Sequence, residues 1–200
     1  MKAVVIYESM YGNTHLIANA IAEGLRTHGE AIVVPVDQAD AALVDSADLI
    51  VVGGPTHAHG MSRASTRKGA VASAEKPGST LVMDADAMGL GLREWFATLG
   101  DVATKAAAFD TRFDFPAALT GRASKSIARK LHHHLATLIS PPQSFFVTKD
   151  NHLDPNEEAR ARRWGDRLGY DLDGIGIGIG IFPPATPWSA DPTVTAAGRS

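Results

Sequence analysis

Five short apolar runs, rich in alanine and β-branched residues, punctuate the chain at residues 3–7, 31–36, 49–52, 106–109 and 144–148. Runs of this length are the mark of buried parallel strands, which are covered on both faces and need not alternate. Between them the apolar positions switch to helical spacing. Leu16, Ile17, Ala20, Ile21 and Leu25 make one stripe, and Leu92, Trp95, Phe96 and Leu99 a second. Ile127, Leu131, Leu135 and Leu138 make a third; Ala161, Trp164 and Leu168 make a fourth, after the helix-opening Pro155, Asn156 and Glu157. The stripes are core faces, and their aromatic members pack rather than react. The alternation predicts an α/β fold, an open five-stranded parallel sheet with helices on both faces, because each strand needs cover and its crossovers are right-handed. Ligands of such sheets bind beyond the carboxyl ends of the strands, where the strand order reverses. The loops after the first, third and fourth runs are therefore expected to share one crevice.

The first of these loops reads Ser9-Met10-Tyr11-Gly12-Asn13-Thr14 and opens directly into the first helical stripe. A helix start leaves backbone N–H groups without partners and carries partial positive charge, so a phosphate is stabilised there. Ser9, Asn13 and Thr14 add side-chain donors. Taken alone, the loop reads equally as an ordinary turn capped by Ser9 or Asn13. It lacks the Gly-x-x-x-x-Gly-Lys-Ser/Thr pattern, and Gly12 is its only glycine, which argues against ATP, GTP or NAD as the primary ligand. The second loop, Gly53-Gly54-Pro55-Thr56-His57-Ala58-His59-Gly60-Met61-Ser62, offers a bare backbone against which a flat ring can lie, with Gly60 free to take either sign of φ. The third, Asp110-Thr111-Arg112-Phe113-Asp114-Phe115-Pro116, offers polar edge contacts beside two aromatic rings.

At 200 residues, 44% hydrophobic and 20% charged, the chain has the make-up of one ordinary globular domain. It contains no cysteine, which excludes disulfides, thiolate-bound metals and thiol nucleophiles. A net charge of −3 gives no footprint for nucleic acid. No stretch is long and apolar enough to span a bilayer, so no membrane span and a cytoplasmic location are expected. Residues 1–169 read as the folded domain. Residues 170–200, with an Ile-Gly alternation followed by a Pro- and Ala-rich end, read as a mobile tail. Residues 77–91 look like an insertion, within which 79–83 is expected to form a short extra strand.

With these loops in these places, the chain resembles the flavodoxins and flavodoxin-like FMN oxidoreductases over residues 1 to about 169. Ser9-Met10-Tyr11-Gly12-Asn13-Thr14 is similar to the family's phosphate loop, and Gly54-Pro55-Thr56-His57 to its isoalloxazine loop. The Ser-Met-Tyr-Gly variant is especially similar to quinone reductases of the tryptophan-repressor-binding-protein type. The resemblance implies the strand order 2-1-3-4-5 and FMN as cofactor. It implies that FMN is held by Ser9, Met10, Tyr11, Gly12, Asn13 and Thr14, by Pro55, Thr56, His57 and Gly60, and by Asp110, Thr111, Arg112 and Phe113. It also suggests a homo-oligomer in which a neighbouring subunit completes the site. Tyr11 replaces the family's usual threonine, and His57 stands where flavodoxins often have a large aromatic residue.

Charge shifts the expectation from carrier to reductase. The carriers are strongly acidic, whereas here no carboxylate lies between Asp48 and Glu75 or between Asp114 and Asp150. Those segments hold Arg63, Arg67 and Lys68, then Arg122, Lys125, Arg129, Lys130 and Lys149. A basic rim favours an anionic reduced flavin, and with it two-electron chemistry from NAD(P)H to a quinone-like acceptor. The partner is then a small-molecule acceptor or a redox protein. His57 and His59 are candidate proton donors, although loop histidines more often only hydrogen-bond locally. No metal site is expected: His57 and His59 lack a third ligand nearby, and the rings of His132, His133 and His134 point to different sides of a helix. Two other readings remain, a flavodoxin carrier between partner proteins and a flavin-free interaction domain that keeps only the fold.

Overall fold

The five apolar runs pair as parallel strands in the computed structural model, which describes residues 1–57 and 59–173. Along the chain come β1 (Lys2–Tyr7), α1 (Asn13–Leu25), β2 (Glu30–Pro35), α2 (Ala41–Asp45), β3 (Leu49–His57), β4 (Gly60–Met61) and α3 (Ala64–Ala74). Then follow α4 (Leu92–Thr98), β5 (Lys105–Phe113), α5 (Ala117–Thr120), α6 (Ala123–His133), β6 (Thr137–Leu138), β7 (Gln143–Val147) and α7 (Glu157–Asp173). The sheet order is β2-β1-β3-β5, with β6 and β7 both on the outer edge of β5 and β4 an antiparallel appendage of β3. This is the flavodoxin-like order 2-1-3-4-5. The fifth strand is split, because Pro141 and Pro142 lie between β6 and β7 and have no N–H to give a ladder.

Successive strand residues point to opposite faces, and each face has its own core. Val4, Ile6, Ile50, Val52, Ala106 and Ala108 pack with Leu92, Trp95 and Phe96 of α4 and Ile127 and Leu131 of α6. Val5, Tyr7, Val51, Ala107 and Phe109 pack with Ile17, Ile21 and Leu25 of α1 and Trp164 and Leu168 of α7. Each of the larger apolar side chains in these layers contributes about 1.5–3 kcal/mol by leaving water. Leu16 departs from its predicted stripe and is half exposed, since the buried face of α1 is set by Ile17, Ala20, Ile21 and Leu25. Leu135 and Leu138 leave theirs as well. The chain turns at Leu135, where φ is 65°, so α6 stops at His133 and Leu138 enters β6.

Helices α1 and α7 cross at glycines. A Cβ on Gly24 would lie 2.0 Å from the Arg162 carbonyl oxygen, and one on Gly165 would lie 2.1 Å from that of Ile21. α7 continues to Asp173, beyond the expected boundary at Gly169, and the rest of the expected tail, from residue 174, lies outside the described residues. Residues 79–83 form no strand; Leu81 N–H instead donates to the Ser79 hydroxyl in a local turn. Among the described residues, no helix is long and apolar enough to cross a membrane.

Candidate functional site

Strands β3 and β5 outrun the strand beside them. β1 pairs with β3 only as far as Tyr7 and Gly53, whereas β3 and β5 stay in register through Gly54–Asp110 and Pro55–Thr111. Gly53, Gly54, Pro55, Thr56 and His57 are therefore strand rather than loop, as are Asp110, Thr111, Arg112 and Phe113. Position 53 needs glycine in this strand, because the Phe109 ring lies so close over it that a Cβ there would meet it at 2.1 Å. A cleft of about 280 Å³ opens at the carboxyl ends of β1, β3 and β5. Its wall takes Ser9, Met10, Tyr11, Asn13 and Thr14 from the first loop, Pro55, Thr56 and His57 from β3, and Thr111, Arg112 and Phe113 from β5. The expected residues Gly12, His59, Gly60 and Asp110 do not line it.

Each absentee has a structural reason. Gly12 supplies the left-handed turn, with φ 89°, that swings the chain into α1, and its N–H donates to the Ser9 hydroxyl. Asp110 is fully buried on the opposite face of β5 from Thr111. One of its carboxylate oxygens accepts from Thr56 Oγ1 and from the Ser124 N–H, while Thr56 Oγ1 accepts from the Ala123 N–H. Together Asp110 and Thr56 cap α6, which has no side-chain cap of its own at Arg122. Gly60 belongs to β4, paired with His57, and has no positive φ. His59 is exposed with φ 73° and bridges to Gly121, whose missing side chain lets the two backbones touch.

The cleft wall mixes polar and apolar groups. On its α1 side, the helix starts without a side-chain cap and without an acidic residue in its first turn. On its β5 side, Arg112 Nη1 donates to the carbonyls of Phe113 and Phe115 and to the Thr120 hydroxyl, and its Nε is buried without a hydrogen-bond partner. Tyr11, Pro55, Phe113 and Val147 supply apolar surface, and among the described residues no carboxylate lines the wall. Residues of this kind fit a flat ring bearing a phosphate ester. Two expected phosphate donors have partners within the protein: Asn13 Nδ2 donates to Asn151, and the hydroxyls of Thr14 and Thr111 bond at 2.8 Å. The Tyr11 hydroxyl also turns away, donating to the Ala70 carbonyl of α3.

His57 is largely withdrawn from water, and that burial lowers its pKa from the usual 6.5, opposed only by the negative charge of Glu8. Glu8 is itself buried, accepting from the Ser62 hydroxyl and from the Leu92 N–H at the start of α4. The basic rim is thinner than the sequence implies. Arg67 is paired with Glu94 at 3.1 Å and holds that carboxyl below its usual range. Arg122 is turned onto the Ser144 hydroxyl and the Pro142 carbonyl. Val147 and Asn151 line the cleft without having been expected to. Asn151 sits at φ 60° in the turn after β7, a position where asparagine is tolerated and which the sequence marks only by its polar run Lys149-Asp150-Asn151.

The sequence profile of the family described as flavodoxin matches residues 5–108. Among curated proteins, no sequence matches the chain. The fold is similar to that of a flavodoxin from the domain Archaea, at 18% identity and a TM-score of 0.58 over 86% of this chain and 99% of the other. It is also similar to oxidised flavodoxin 1 from Bacillus cereus, at 18% identity and a TM-score of 0.56 over 87% and 98% of the two chains. A flavodoxin, WrbA-like protein from Agrobacterium tumefaciens matches at 21% identity and a TM-score of 0.55, over 86% and 98%.

Proposed function

We propose, from the premise that this chain belongs to the flavodoxin family, that it binds FMN in the cleft and acts as a two-electron oxidoreductase from NAD(P)H to a quinone-like acceptor. The observation that supports this reading is that the uncapped start of α1 and the cationic side chain of Arg112 line one cleft, in whose wall no carboxylate stands among the described residues. Bound FMN would supply the hydride-accepting and electron-donating chemistry. The chain's part is placement and charge. The first-turn amides of α1 and the Ser9 hydroxyl hold the phosphate, while Tyr11, Pro55 and Phe113 wall the ring. Arg112 places a fixed positive charge beside that ring in a partly dry site, where negative charge on the reduced cofactor is stabilised more than in water. His57, kept neutral at pH 7 by burial, offers one N–H donor and no charge. Its neighbour His59 lies outside the cleft wall and has no part in this scheme.

A carrier role is the second reading. It is favoured by the engagement of Arg67 with Glu94 and of Arg122 with Ser144 and Pro142, which leaves less free positive charge at the rim. The test is to purify the protein, record flavin absorption with and without added FMN, and mix it anaerobically with NADH and with NADPH. Rapid bleaching of bound flavin by one of them is the expected result. Flavin that binds but is reduced only through a partner reductase points to the carrier; protein that stays colourless in excess FMN overturns both readings.

A further inference from the structure

Folding brings His15 against a pair of aspartates that the sequence keeps far from it. His15 lies one residue past Thr14, on the side of the first loop that does not line the cleft, and Asp84 and Asp86 come from the segment 77–91. That segment is laid against the loop: Asp84 N–H donates to the Met10 carbonyl, and Ala87 packs with Met10 and Ala70. One ligand atom from each of His15, Asp84 and Asp86 lies within 4.8 Å of the others. The Tyr7 hydroxyl donates to Asp86 at 2.7 Å, and the Tyr7 ring stacks on His15 with centroids 4.4 Å apart, so both groups are held in place.

Asp84 is the informative member. Its side chain is only 5% exposed, and its Oδ2 makes no hydrogen bond. The nearest partner, His15 Nδ1, stands 3.4 Å away. That is the edge of a tetrahedron with metal bonds of about 2.1 Å, the length usual for zinc with histidine and carboxylate ligands. Among the described residues, no lysine or arginine is paired with Asp84 or Asp86. A buried carboxylate without a partner is costly, and a cation relieves it.

We propose that His15, Asp84 and Asp86 bind a divalent transition-metal ion of the zinc class, separate from the cleft. An imidazole with two carboxylates suits zinc and its neighbours better than magnesium or calcium, which prefer oxygen ligands alone. The ion would clamp residues 84–86 to the start of α1, bracing the first loop from behind.

The test uses the full chain with His132 and His133 changed to alanine, so that these exposed imidazoles do not bind the probe. Zn²⁺ is titrated by calorimetry, without FMN, into this protein and into the same protein carrying Asp84→Asn or His15→Ala. One zinc per chain is expected, weakened about tenfold or more by either change. Asp84→Asn should also leave the melting temperature in EDTA equal or higher, since the buried Oδ2 accepts no hydrogen bond, while abolishing the rise that zinc produces. Zinc binding unaltered by Asp84→Asn, or no zinc binding at all, overturns the proposal. So does a lower melting temperature for Asp84→Asn in EDTA, which would show a partnered structural carboxylate.

Discussion

His57 and Tyr11 show how a side chain's surroundings reset the role its type suggests. Burial lowers the His57 pKa below the ordinary 6.5, so the unfolded chain binds the proton more readily than the folded one. The stability this residue gives is therefore complete above pH 6.5 and is lost as the pH falls below that value. Thermal melts of the wild type and of His57→Phe between pH 5 and 8 should show a loss on the acid side that the variant lacks. For Tyr11, loss of the hydrogen bond to the Ala70 carbonyl predicts that Tyr11→Phe costs about 0.5–1.5 kcal/mol in denaturant melts. FMN affinity should barely change, because the hydroxyl faces α3 and not the cleft. At this scale the sequence was legible for residue type and loop, as Ser9, Pro55 and Arg112 show by lining the cleft together. It was not legible for partners. The engagement of Asn13 with Asn151 and of Thr14 with Thr111 joins residues far apart in the chain, and no local pattern announces such a pair.

Elements were read well where periodicity is strong and less well at their ends. The β3 strand was expected to stop at Val52 and runs to His57, because glycine and proline normally mark a strand's end. Here Gly53 instead makes room for the Phe109 ring, and Pro55 lies beyond the last pair that β3 forms with β1. The start of α6 depends on that extension, since Thr56 and Asp110 serve its first free amides. Thr56→Val keeps the shape but leaves the Ala123 N–H without a partner, so a loss of about 1–3 kcal/mol is expected in chemical denaturation. The crossing of α1 and α7 offers a second check. Gly165→Ala places a methyl group against the Ile21 carbonyl, and a loss of about 1–3 kcal/mol or more should appear in the same measurement.

For the whole molecule, a ligand that binds only the folded chain raises its apparent stability by mass action. If FMN occupies the cleft, protein in FMN at 100 times its dissociation constant should gain about 2.7 kcal/mol, and its melting temperature should climb with FMN concentration. Fold class and strand order were open to reading because alternating apolar runs and helical stripes leave few topologies to choose from. The division of the fifth strand was not legible, because β6 is only two residues long and leaves no apolar run of its own beside the one at 144–148. That division bears on how copies of the chain meet. Along the outer edge of β5, β6 covers Lys105 and Ala106, β7 covers Phe109 to Phe113, and the two prolines between them offer no N–H. An edge so interrupted is a poor template for another molecule's strand. The outer side of β7 is taken as well, since Phe146 accepts from the Asp154 N–H and donates to Glu157, so growth of the sheet by strand addition is disfavoured along this whole edge.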